Sequence, residues 1–116
     1  MKVNIDNLIA VMANVLYLIE RLEINLDRAF TVVCRKYRCS SGHLTREEVF
    51  NLVHDFISRY YFIESLTQKL GRKSVSYRTY AKLFLYIKLR ELGLSIPSKL
   101  AKAVSREFGS VEVSLD

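Results

Sequence analysis

Ten lysines and arginines fall within residues 67–107, against two acids, Glu91 and Glu107. They are Lys69, Arg72, Lys73, Arg78, Lys82, Lys88, Arg90, Lys99, Lys102 and Arg106, and no acid occurs between Glu64 and Glu91. Residues 1–66 carry eight cations and eight acids, so the net charge of +6 on 116 residues comes from the basic segment. Guanidinium and ammonium groups at this density neutralise phosphates, and the partner they suit is a polyanion, nucleic acid above all. Tyr77 and Tyr80 lie among them, and a tyrosine ring can stack on an unpaired base. On a helix Arg78, Lys82 and Tyr86 fall at steps of four and share one stripe.

A second basic cluster, Arg35, Lys36 and Arg38 with Arg28 earlier, could extend such a surface. Its predicted place is the last turn of a helix, where the dipole alone accounts for cations. The Cys and His residues are Cys34, Cys39, His43 and His54. A four-ligand zinc site would need all four, and the spacing C-x4-C-x3-H matches no usual structural pattern. Both cysteines read as reduced thiols, Cys34 as core, and His54 as a partly buried helix residue. Nothing suggests a Cys–His nucleophilic pair with an orienting group and an oxyanion loop. Glu47 and Glu48 belong to a helix start, and Asp55 can pair with Arg59 at i+4. There is no glycine-rich phosphate loop, no G-x-G-x-x-G and no H-E-x-x-H. The expectation is therefore a chain with no catalytic residues, no metal site and no cofactor.

The elements that must position these residues read as helices. Leu8, Val11, Met12, Val15, Leu16, Leu18, Ile19 and Leu22 recur at helical spacing, which predicts a first helix from an Asp6 N-cap to Leu22. Asn25 caps a second helix running to about Arg38, with Leu26, Ala29, Phe30, Val33 and Tyr37 on its core face. Thr45 and Glu48 form a capping box. The helix they open is apolar on more than one face through Tyr60, Tyr61, Phe62 and Ile63, which predicts a central helix with a bend near residues 60–61. Gly71 ends it, Ser76 caps the next helix to about Leu92, and Pro97 opens a last helix that Gly109 stops. Residues 110–116 read as a tail or the start of a linker.

One proline, four glycines and half of all residues apolar argue for long helices and against disorder. The fold class is all-α: a single-domain orthogonal bundle of five to seven helices over residues 1–109. Two cysteines make no disulfide framework, which points to a cytoplasmic protein. The longest apolar stretch, residues 8–19, is too short to span a bilayer and lacks a signal peptide's cleavage region.

The order of these signals has a counterpart in a known family. Residues 13–20 (A-N-V-L-Y-L-I-E), residues 26–30 (L-D-R-A-F), residues 46–59 (R-E-E-V-F-N-L-V-H-D-F-I-S-R) and residues 63–66 (I-E-S-L) resemble NusB-like domains. Arg59 matches the family's arginine position, and Asp55 stands where the family often has glycine. The resemblance covers about half the chain and consists of degenerate hydrophobic spacing. It implies an all-α RNA-binding fold, found alone as a bacterial antitermination factor. The same fold is also the N-terminal domain of Sun/Fmu-type RNA cytosine-C5 methyltransferases, archaeal ones included. An acidic first helix, in place of the N-terminal arginines of the free-standing factors, points to the methyltransferase-appended form. In those enzymes the S-adenosylmethionine site and catalytic cysteines lie in a separate domain that has no counterpart here.

The resulting expectation is a non-catalytic module that binds rRNA or tRNA and accompanies a methyltransferase catalytic domain. Its RNA contacts would be Lys69, Arg72, Lys73, Arg78 and Lys82, then Lys99, Lys102 and Arg106, with Tyr77 for stacking. Two other classes stay open: a protein-interaction module of the antitermination type, and a helical DNA-binding protein using the 93–97 connection as a loose helix-turn-helix.

Overall fold

An asparagine starts the first helix. In the computed structural model, which describes residues 4–40, 44–71 and 75–109, α1 spans Ile5–Leu22 and its N-cap is Asn4, two residues before Asp6. The Asn4 Oδ1 accepts from the Asn7 N–H at 3.1 Å, and Asp6 falls in the first turn, where its charge suits the dipole. The helix ends on Glu23 in a left-handed conformation (φ 55°), whose N–H bonds the Leu18 carbonyl. Helix α2, Leu26–Cys34, is capped by Asn25 as its sequence predicts. Helix α3, Arg46–Ser58, begins with the full capping box: Thr45 Oγ1 accepts from the Glu48 N–H at 3.2 Å, and Glu48 Oε1 from the Thr45 N–H at 2.9 Å.

The remaining helices are α4 (Tyr60–Lys69), α5 (Tyr77–Glu91) and α6 (Ser98–Phe108). Gly71 (φ 88°) takes the left-handed position predicted for it at the end of α4, and Gly93 (φ 68°) does the same after α5. Ser76 caps α5, its Oγ accepting from the Thr79 N–H. Pro97 stands one position before α6. Six helices and no strand are present among the described residues, so the all-α class holds.

Contacts within the chain gather into two compact units, residues 1–60 and 61–116. In the first, α1 packs on α2 and on α3. Residues 8–13 of α1 are buried without interruption, followed by Val15 and Leu16. Residues 8–13 of α1 are thus buried on all sides, while Tyr17 and Leu22 nearer its end are exposed, so the core face predicted through Leu22 stops short of it. Helix α3 buries a single stripe, Val49, Val53 and Phe56, and contributes it alongside Ala29, Phe30 and Val33 of α2. In the second unit α5 packs on α6. Seven residues of α5 are buried, as are Leu100 and Val104 of α6 and Ile63 and Thr67 of α4. The buried Thr67 hydroxyl is satisfied by the Glu64 carbonyl at 2.7 Å.

Three sequence expectations change. The bend expected near residues 60–61 is a break between two helices at Arg59, and Tyr61 (76 % exposed) and Phe62 (53 %), read as core, stand out from the surface. The periodicity ran on across the turn, which made their apolar character look like core. His54 is exposed on α3, its ring 6.4 Å from Phe50. The largest change concerns the cysteines: Cys34 and Cys39 form a disulfide. Helix α2 stops four residues earlier than predicted, and a turn over residues 35–37 brings the two Cα atoms to 5.4 Å. Disulfides persist in oxidising compartments and also in intracellular proteins of hyperthermophiles. The argument from reduced thiols to a cytoplasmic location therefore falls away. No helix among the described residues is long and apolar enough to cross a membrane.

Candidate nucleic-acid interface

Helix α5 is the scaffold of the basic segment. At about 100° per residue, its buried positions (Thr79, Tyr80, Ala81, Leu83, Phe84, Leu85 and Ile87) take up roughly two-thirds of the circumference. The side left to solvent is narrow and holds Arg78, Lys82, Tyr86 and the half-buried Leu89, while the exposed Arg90, four residues after Tyr86, falls about 40° further round at the edge of the strip. Arg78 and Arg90 are exposed, and Lys82 and Tyr86 are half-buried at the strip's floor. The Arg90 guanidinium lies 5.7 Å from the centroid of the Tyr86 ring, a cation–π contact that holds the arginine along the strip. Over twelve residues the strip runs about 18 Å. The predicted stripe of Arg78, Lys82 and Tyr86 is thus present, and Arg90 extends it by one more step of four.

Helix α6 presents a second row. Leu100 and Val104 face inward, and Lys99, Lys102 and Arg106 fall within about 60° of one another on the opposite, exposed side. Lys69 is exposed at the last position of α4. Tyr77 is half-buried at the first position of α5, about 100° round from Arg78. The aromatic ring on the strip is that of Tyr86. Arg72 and Lys73, also expected to contact RNA, lie outside the described residues.

The helix starts sharpen the charge asymmetry. In α1, α2 and α3 the first turn holds an acid: Asp6, Asp27, and Glu47 with Glu48. In α4, α5 and α6 it holds none. Arg78 sits in the first turn of α5 and Lys99 in that of α6, where a cation opposes the helix dipole. The second unit thus leaves the positive ends of its helices uncompensated and adds cations to two of them.

No family model matches the chain, and neither the curated proteins nor the solved structures include a match. The candidate interface therefore stands on geometry and charge.

Among the described residues no group of three or more His, Cys, Asp or Glu side chains could hold a metal ion. As a disulfide, Cys34 and Cys39 offer no thiolate to act as ligand or nucleophile. Asp55 and Arg59 form the predicted i,i+4 pair at 3.2 Å, a structural contact on α3. A shallow groove of about 510 Å³ between α2 and α3 is lined by Asp27, Phe30, Thr31, Arg46, Glu47 and Phe50. Within it Arg46 lies over the Phe30 ring at 5.5 Å, Phe30 meets Phe50 edge-on at 5.1 Å, and the Thr31 hydroxyl donates to the Asp27 carbonyl at 3.0 Å.

What the sequence reading missed was the disulfide and the place of Arg90. The signal for Arg90 was present, since it continues the spacing of 78, 82 and 86.

Proposed function

We propose that this chain is a non-catalytic RNA-binding module whose second unit grips the phosphate backbone. The observation that carries the reading is the α5 strip. A helix buried over most of its surface carries Arg78, Lys82 and Tyr86 on its remaining face beside a half-buried Leu89, with the exposed Arg90 at that face's edge. A linear row of cations with one aromatic ring suits a single strand or a loop, where phosphates and an unstacked base are offered together. The row on α6 and Lys69 supply further phosphate contacts. The NusB-like resemblance supports the same class and adds the proposal of an rRNA or tRNA partner, presented to a methyltransferase catalytic domain.

The test is binding of tRNA and rRNA fragments by fluorescence polarisation across a salt series. For a single strand each phosphate contact contributes roughly −0.7 to the log–log slope. Arg78→Gln with Lys82→Gln should weaken binding and flatten the slope by about 1.4. Affinity and slope unchanged in that double variant would remove the strip from the interface.

A second reading, a protein-interaction module, draws on the exposed Tyr61 and Phe62. It predicts that RNA binding is absent or insensitive to the strip, and that Tyr61→Ser with Phe62→Ser abolishes capture of a protein partner.

A further inference from the structure

The sequence C-R-K-Y-R-C, residues 34–39, places three cations in four residues between the two halves of the disulfide. The structure gives that segment a fixed shape. Helix α2 ends at Cys34, and its last turn holds no basic residue. The cations therefore lie beyond the helix, on the loop. The dipole acts mainly within the last turn, so it accounts poorly for Arg38, four residues farther on. The backbone is tied down along its length. The N–H of Arg35 bonds the Val32 carbonyl at 3.2 Å, and those of Lys36 and Tyr37 bond the Val33 carbonyl at 3.0 and 2.9 Å. The Arg38 carbonyl accepts from Asn7 Nδ2 on α1 at 2.6 Å. Cys39 is buried, 7 % exposed, and anchors the far end through its sulfur. Tyr37 is half-buried, and Arg35, Lys36 and Arg38 are exposed. No carboxylate lies within the loop.

We infer that this disulfide-closed loop is a second phosphate-binding element of the chain, contacting RNA through Arg35, Lys36 and Arg38 in a shape held by the Cys34–Cys39 bond. The inference rests on the RNA-binding reading of the second unit and assigns a contact to the first, whose net charge is close to zero. Two of the three cations are arginines, whose planar forks match phosphate oxygens in pairs. Ordering three long side chains on a floppy segment would consume much of the gain on binding. A loop already closed by a covalent bond, three backbone hydrogen bonds and one from the Asn7 side chain has met the backbone's share of that cost on folding. The disulfide also makes the grip responsive to thiols. One thiolate of a dithiol reductant attacks a sulfur of the pair, and its second thiolate resolves the mixed disulfide. Two electrons pass to the protein, Cys34 and Cys39 each leave as a protonated thiol, and the reductant leaves as its cyclic disulfide.

The experiment uses the whole chain and one labelled tRNA or rRNA fragment across a salt series. Four samples are compared: the oxidised protein, Arg35→Gln/Lys36→Gln/Arg38→Gln, Arg78→Gln/Lys82→Gln, and the oxidised protein reduced with dithiothreitol and capped with iodoacetamide. Circular dichroism confirms the helix content of each. The triple variant should bind more weakly and lose about 2 from the log–log slope, three contacts' worth. Reduction should weaken binding roughly threefold or more while keeping most of the slope, since the charges remain. If the strip variant loses affinity while the triple variant and the reduced protein bind as before, the loop is not a contact and the RNA reading stands without it. If the oxidised protein shows no salt-dependent RNA binding, the RNA reading falls and the loop with it. Should the capped protein lose helix content, the triple variant, which keeps its disulfide, decides alone.

Discussion

Removing the disulfide should cost the fold a calculable amount. The bond closes a ring of six residues, Cys34 to Cys39. In the chain-entropy account the unfolded chain regains about 2.1 + 1.5R ln 6, roughly 7 cal/mol/K, when the bond is cut. At 25 °C that is about 2 kcal/mol of lost stability. The variant to use is Cys34→Ala with Cys39→Ala. Cys39 is buried, and serine there would add a hydroxyl in need of a partner.

The assay is thermal unfolding followed by circular dichroism, and its outcome depends on how the two units unfold. Unfolding entropy near 60 °C is about 2.1 cal/mol/K per residue. If all 116 residues unfold together, 2 kcal/mol lowers Tm by about 8–9 °C. If residues 1–60 unfold as their own cooperative body, the same loss is spread over about half the entropy. The shift then approaches 16–17 °C and is confined to one of two transitions. Reduction of the unsubstituted protein should reproduce whichever shift the variant shows. A shift under about 2 °C in both would refute the ring-closure argument. Two free thiols found by mass spectrometry in protein kept from reductant would refute the bond itself.

Glu23 is held at φ 55° at the end of α1, a conformation glycine adopts without strain. Glu23→Gly should therefore stabilise the chain by about 0.5–1 kcal/mol, the left-handed penalty less the entropy glycine gives back, as read from urea unfolding. Arg78→Glu should move two measurements in opposite directions: about 1 kcal/mol of added stability from an acid in the first turn of α5, and weaker RNA binding.

The local punctuation of the fold was legible because it is local. Asn25, the Thr45 and Glu48 box, Ser76, Gly71 and Gly93 each act on backbone groups within four residues, so their types and spacing suffice. The stripe on α5 was legible for the same reason. The disulfide was not. On a helix continued to Arg38, residues 34 and 39 would be separated by about 7.5 Å along the axis alone, beyond disulfide reach. A helix continued to Arg38 is therefore incompatible with the bond. The covalent link and the Asn7 hydrogen bond from α1, thirty-one residues away, hold the non-helical segment after Cys34, and neither is written in local periodicity. The apolar run through residues 60–63 misled for a related reason. Spacing reports that a residue is apolar, and only the turn at Arg59 puts Tyr61 and Phe62 outward.

The helix starts bear most directly on why the charge is distributed as it is. A chain selected for helix stability alone would place acids in the first turns, as α1, α2 and α3 do. Helices α5 and α6 do the reverse, with Arg78 and Lys99 there, each arrangement costing about 0.3–1 kcal/mol. A general surplus of lysine and arginine for solubility would be satisfied by the last turns, where cations are favourable, and Lys88 and Arg90 already occupy that end of α5. Putting cations at the unfavourable end makes sense when an anion arrives to use the same positive field. A phosphate beside Arg78 would meet the side chain's charge and the uncompensated helix dipole together. On the RNA-binding proposal, the arrangement that weakens the free helix would strengthen the complex, so a single acid at position 78 should separate stability from binding.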